Sequence, residues 1–187
     1  MAKVKASWKQ KSIYRIIAPE SFDQQEIGAT IASNEKNLLG RSVEVSLRDL
    51  TGDRTKQYLK LVFEIYEVDN ENKKAKTKFK RFYVSSQYIR SKIREGMSKI
   101  ESIAKLNLSK IPVRVKVIVA TQQKIQTSKC VDINKKVIQS LKEYEKNLNI
   151  DEFLQLALFG KLGTEIYHKI KKIAPIKRVE VEEIKVI

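Results

Sequence analysis

The sequence predicts an α+β protein: a small β-barrel with an inserted helix, followed by a helical C-terminal part that ends in an extended strand. Three observations carry this expectation. Runs of β-branched and aromatic residues separated by turn chemistry occupy the chain up to residue 121. One segment inside them, "SSQYIRSKIREGM", switches to a helical period. Beyond residue 121 apolar residues recur at helical spacing until "RVEVEEIKVI", which closes the chain as an extended arm. The corresponding organisation is a basic N-terminal extension over 1-11, a barrel domain over 12-121 and a helical part with the final strand over 122-187.

Each element has a local cause. Ser12 to Ile17 is rich in β-branched residues and precedes Pro19, which forces its predecessor into an extended conformation, so it reads as a strand. Arg41 to Leu47 sets Val43, Val45 and Leu47 on one strand face. Gln57 to Val68 alternates Leu61, Phe63 and Ile65 with Lys60 and Glu64, and "DNENKK" breaks it. Ala75 to Val84 resumes extended structure, with Lys76, Lys78 and Lys80 on the face opposite Phe79 and Tyr83, making a hairpin with one cationic side. In the inserted helix Ser85 or Ser86 caps, Ile89 and Ile93 sit one turn apart, Arg90 and Arg94 form a basic row, and Gly96 ends it. Ser98 to Asn107 reads as a strand or an irregular extension. "IPVRVKVIVA" is the clearest strand, with Val113, Val115, Val117 and Val119 on one face.

In the C-terminal part, Val137, Leu141 and Leu148 form one helical stripe, with Asp132 or Asn134 serving the N-terminal end and Lys135, Lys142 and Lys146 pointing elsewhere. "NIDEFLQLALFG" is a second helix, capped by Asn149 or Asp151 and stopped at Gly160. A third spans Thr164 to Ile173.

Charge narrows the function. Lys and Arg number 38 against 22 Asp and Glu in 187 residues, a formal surplus of +16 that exceeds what solubility requires and points to a polyanionic partner. The basic N-terminal stretch lacks the apolar run of a signal peptide or a membrane anchor, so lipid is the weaker candidate. Cys130 is the one cysteine, which rules out an intramolecular disulfide, argues against structural zinc and suits a reducing cytoplasm.

Acidic and nucleophilic candidates are weak. Asp49 and Asp53 could share a proton or a cation, but Thr51-Gly52-Asp53 is ordinary turn chemistry and no lysine or histidine is placed beside it by pattern. His168 lies among Lys169, Lys171 and Lys172 and reads as a surface histidine. "GKLG", Gly160 to Gly163, has the G-x-x-G form of a KH backbone clamp, yet it is preceded by a helix where that fold wants strands. No catalytic residue, metal site, cofactor or small-molecule substrate is expected. The stronger signal is clustered base: Lys3, Lys5, Lys9 and Lys11 around Trp8, then Lys76, Lys78, Lys80 and Arg81 on the hairpin, then Arg90 and Arg94. Each cluster alone is compatible with a solvated surface, but together they favour nucleic acid, with Trp8 available to stack on a base.

Three stretches carry a family resemblance: "APESF" at Ala18 to Phe22, "IGATIAS" at Ile27 to Ser33, and above all "GRSVEVSLRDLTGD" at Gly40 to Asp53. They resemble the archaeal and eukaryotic small-subunit ribosomal protein family S-three-A-e, also called e-S-one. Thr127 and Ser128 match its Thr-Ser pair before a long helix, and "KKIAPIKRVEVEEI" is similar to its helix-to-strand transition. One departure stands out: the family's basic run before the Thr-Ser pair is reduced here to Lys124 within "TQQKIQ". The resemblance implies a cytoplasmic, ribosome-bound structural protein near the platform and mRNA exit. Its partners would be small-subunit rRNA and neighbouring ribosomal proteins. By match to the motif it places Arg41 and Arg48 near rRNA and gives Glu44 and Asp49 pairing or turn roles. A free-standing single-stranded RNA-binding barrel is the rival, and it requires exposed aromatics on the barrel face.

Overall fold

The structure, a computed structural model, describes residues 11–109, 111–145 and 148–187. The chain divides into two compact units, residues 1–80 and 81–187.

The first unit holds β1 (Ser12–Ile17), β2 (Glu26–Ala32), β3 (Ser42–Ser46), the short helix α1 (Leu47–Thr51), β4 (Leu59–Asp69) and the start of β5 (Lys74–Val84). β1 lies antiparallel to β2 and parallel to β5, with Arg15 opposite Lys74, while β4 pairs with both β5 and β3. The strands therefore run in the order β2-β1-β5-β4-β3. The predicted inward set of β4 is correct: Leu61 and Phe63 are wholly buried and Ile65 nearly so. They are joined by Ile16 and Ala75, and the ring of Phe22 stands edge-on to Phe63 at 5.5 Å. Thr77 is buried too, and its hydroxyl donates to the Ile17 carbonyl at 2.8 Å, so the polar group is satisfied where it sits.

The second unit holds the end of β5, α2 (Ser86–Lys92), β6 (Lys99–Leu108), β7 (Ile111–Thr121), α3 (Thr127–Tyr144), α4 (Ile150–Leu158), α5 (Lys161–Ile170) and β8 (Ile176–Val186). Its sheet is antiparallel in the order β5-β8-β7-β6. Val113, Val115, Val117 and Val119 are fully buried on one face, as their spacing predicts. α3 packs on β6 and α5 on β8. Because the alternate residues of β6 from Lys99 to Asn107 are exposed, the helices cover the valine face. They contribute Ile133, Val137 and Leu141 from α3, Phe153 and Leu154 from α4, and Leu162, Ile166 and Ile170 from α5.

Several sequence expectations need correction. The inward set of β5 changes from odd to even positions, Ala75 and Thr77 first and then Phe82 and Val84, so Phe82 fills the core while Tyr83 and Phe79 are half-buried. A constant two-residue period cannot anticipate that change. α2 stops at Lys92, where Ile93 turns extended, four residues before Gly96. α3 begins at Thr127 rather than near Asp132, because burial of Ile133 belongs to the same stripe as Val137 and Leu141, whereas Leu148 lies beyond its end. The final strand is no peripheral arm, since β8 is paired on both edges, with β5 and with β7.

α4 follows its predicted cap: Asn149 and Glu152 form a capping box, the Asn149 N–H donating to Glu152 Oε2 at 3.3 Å. Gly160 then takes φ +74°, a conformation that costs glycine little, and α5 starts directly after it. Gly163 therefore lies inside α5, buried against β8, and the G-x-x-G stretch is a helix junction and not a backbone clamp. A Cβ at Gly163 would stand 2.9 Å from the Val179 carbonyl oxygen. Alanine favours an exposed helix interior over glycine by about 1 kcal/mol. Here the sign should reverse, with Gly163→Ala destabilising by about 1–3 kcal/mol in urea unfolding, as expected of overpacking against fixed backbone. A stabilised variant would show that α5 is not seated on β8 in this way.

Candidate nucleic-acid interface

Gly40 to Asp53 builds a strand, a one-turn helix and a capped turn. Gly40 (φ +80°) donates its N–H to the Ile65 carbonyl at 2.9 Å and begins the β3–β4 pairing. Ser46 ends β3 and caps α1, its hydroxyl oxygen accepting from the Arg48 N–H at 3.3 Å. Gly52 (φ +74°) closes α1, and Asp53 Oδ1 accepts from the N–H and the hydroxyl of Thr55 at 2.9 and 2.7 Å. Those two hydrogen bonds hold the Asp53 carboxyl below its ordinary pKa. The carboxylate serves the turn. Among the described residues no group of three or more His, Cys, Asp or Glu side chains is arranged to hold a metal ion.

The motif's cations differ in their freedom. Arg41 is exposed, yet its guanidinium donates to Thr30 Oγ1 at 3.1 Å and to the Ile31 carbonyl at 3.3 Å, so part of its capacity is spent on β2. Arg48 projects from α1 into solvent, and Asp49 beside it is exposed as well. Glu44 pairs with Lys60 at 3.2 Å.

The hairpin cations share one side but carry counter-charges from β4. Lys76 pairs with Glu67 at 3.0 Å, and that hydrogen bond raises its pKa above the usual lysine value. Glu64 faces Lys78 at 3.9 Å and Lys80 at 3.7 Å, and Lys80 also donates to Ser42 Oγ at 3.0 Å. Exposed pairs of this kind are worth about 0–1 kcal/mol, so a phosphate can displace the carboxylate at little cost.

Arg81 is different: Glu183, only 9% exposed, holds it at 2.7 Å, and its guanidinium lies 4.8 Å from the centre of the Tyr83 ring. Arg90 is exposed on α2, whereas Arg94 falls past the helix end, so the expected helical row of the two is not formed. Among the described residues neither has an acidic partner. Lys11 lines an open cleft of about 690 Å³ with Ser12, Ile13, Arg15, Asn72 and Lys73. Arg15 is a cation the sequence did not single out, because the parallel β1–β5 pairing that sets it beside the hairpin's Lys73 and Lys74 is announced by no local pattern. Lys3, Lys5, Trp8 and Lys9 lie outside the described residues. Each unit thus exposes cations of its own, Arg48 on α1 and the hairpin lysines in the first, Arg90 and Arg94 in the second.

Comparison with known proteins decides the family. The Ribosomal S3Ae family model matches residues 1–187. The chain belongs to that family. Proteins named small ribosomal subunit protein eS1 align along nearly all of it. The one from Methanobrevibacter smithii is 39% identical over 195 residues and covers all of both chains. That from Archaeoglobus fulgidus is 39% identical, covering all of this chain and 89% of its own. That from Saccharolobus islandicus is 37% identical, covering 98% and 88%. The stretches that resembled the family in the sequence therefore belong to a match that runs from end to end.

Acid should destabilise the fold through Glu101 of β6, which pairs with Lys99 and with Lys116 of β7. Hydrogen bonds from Lys99 and then Lys116 hold the Glu101 carboxyl below its ordinary value of 4.5. A depressed folded pKa contributes stability that is present above the unfolded value and is lost as pH falls through the folded one. Glu101→Gln should therefore lower the melting temperature at pH 7 and have a smaller effect at pH 3. A difference that does not change between the two would remove Glu101 from the acid response.

Proposed function

We propose that the chain is a structural constituent of the small ribosomal subunit, binding small-subunit rRNA and neighbouring ribosomal proteins in the cytoplasm, and that it performs no catalysis. The full-length match to a ribosomal protein family carries this reading. The surplus of 16 positive charges and the exposed Arg48, Arg90 and Arg94 supply the physics: cations neutralise phosphates and release counterions, holding a folded RNA by shape and charge with little base readout. Binding the assembled RNA fold in preference to its alternatives stabilises that fold by mass action. A position near the platform and mRNA exit is what membership suggests.

Barrel closure of the first unit belongs to the same proposal. Arg41, at the start of β3, bonds to Thr30 and Ile31 of β2, the two strands at opposite ends of the order β2-β1-β5-β4-β3. The rival, a free-standing single-strand binder, gains no support from the strands. Among their described residues Tyr66 is the one aromatic that stands largely exposed, and one ring does not make a stacking platform.

Cosedimentation tests the proposal: the protein should travel with small subunits at moderate salt and leave them as salt rises. Recovery only in ribosome-free fractions overturns it. Arg90→Gln with Arg94→Gln should reduce the salt slope of rRNA binding by about 1.4–1.8 if both arginines neutralise phosphates. An unchanged slope removes α2 and its turn from the interface.

A further inference from the structure

We infer that the sheet of the second unit carries a phosphate-backbone site on the face its helices leave open, formed by a transverse row of four cations: Arg81, Lys185, Arg114 and Lys105. The inference rests on the rRNA-binding reading above and adds a contact surface that reading does not contain.

The strand register builds the row. Arg81 of β5 stands opposite Lys185 of β8, Lys185 opposite Arg114 of β7, and Arg114 opposite Lys105 of β6. Directly paired residues project from the same side of a sheet, so four cations stand in line across four adjacent strands. With strands about 4.8 Å apart, the line is about 15 Å long. It lies on the open face, because the neighbours of these residues in sequence, Phe82, Val113, Val115, Leu106 and Ile184, are the buried ones. The four side chains reach solvent: Lys105 is exposed, Lys185 half-buried, and the side chains of Arg81 and Arg114 are 44% and 42% accessible.

Like charges set directly opposite one another destabilise a sheet modestly, so four in succession favour an anion laid across them. Among the described residues a single carboxylate pairs with the row. Glu183 sits one row along, opposite Lys116 and Tyr83, and meets Arg81 at 2.7 Å and Arg114 at 3.4 Å. Being almost buried, it fixes the two guanidiniums from beneath while their outer edges stay accessible. The remaining nearby carboxylates are committed elsewhere, Glu101 and Glu182 both to Lys116 at 2.9 and 2.7 Å. Among the described residues, Lys105 and Lys185 take no acidic partner. A straight, regularly spaced row of cations fits a regularly charged linear polymer, so an RNA strand running across the β-strands is the occupant. An acidic polypeptide, whose side chains alternate in direction, matches it less well.

The test compares the full chain with Lys105→Gln/Lys185→Gln, and with Lys135→Gln/Lys136→Gln, which removes the same charge from exposed positions on α3. Binding to small-subunit rRNA is measured between 0.1 and 1 M salt. The row variant should lose about 1.4–1.8 in salt slope, which is on the order of 30-fold in affinity at 0.1 M salt. Its melting temperature should be equal or higher, because a like-charge contact has been relieved. The α3 variant should change both far less. Equal losses in the two variants, or an unchanged slope in the row variant, overturn the inference while leaving the ribosomal reading intact. Failure of the unaltered chain to bind rRNA overturns that reading itself. If polyglutamate binds the unaltered chain and loses its affinity on the row substitution while rRNA does not, the row is a protein contact and the inference fails.

Discussion

Burial of the β7 valines beneath the helical layer, in which α3 packs on β6 and α5 on β8, is the constraint on which the second unit depends. Val113, Val115, Val117 and Val119 are all fully buried, and each such side chain contributes about 1.5–3 kcal/mol when removed from water. Side chains alternate along a strand, so that packing leaves Arg114 and Lys116 no direction but outward. A register slip of one residue would put both cations into the apolar layer, at a cost far beyond any ion pair. Like-charge repulsion across the strands, about 0.2–1 kcal/mol for each pair, is too small to oppose it. The core thus fixes where the surface charges stand.

Counter-charges follow the same logic with varying strength. In the hairpin, Glu64 and Glu67 of β4 face Lys76, Lys78 and Lys80 through exposed pairs that exchange readily with a stronger anion. Glu183 is nearly buried and faces two arginines, so it is part of how Arg81 and Arg114 are held. The two arrangements divide the cations into those that are loosely tethered and those that are fixed in place. Both leave charge facing solvent.

Much of the architecture was legible because local chemistry decides it. β1 runs over the residues predicted for it, the inward faces of β4 and β7 are as their spacing implies, and Asn149 caps α4 while Gly160 follows its end. Asp53 reads correctly as a turn residue, since its partner Thr55 is two residues away. Errors arose where a distant partner overrides the local pattern. Phe82 replaces Tyr83 in the core because the inward set of β5 shifts along its length, and Gly163 is helical because α5 must seat on the Val179 carbonyl.

By itself, the sequence determined the α+β class, the positive surplus, the turn chemistry and the resemblance that the family match extends to the whole chain. All of these are properties of composition or of residues a few positions apart. Only the tertiary structure decided which cations stand together. Arg81, Lys105, Arg114 and Lys185 are spread over more than a hundred positions and become neighbours through three antiparallel registers, one of which shifts between Lys116 and Val117. Register is set by packing between elements far apart in the chain, so no window of sequence contains it.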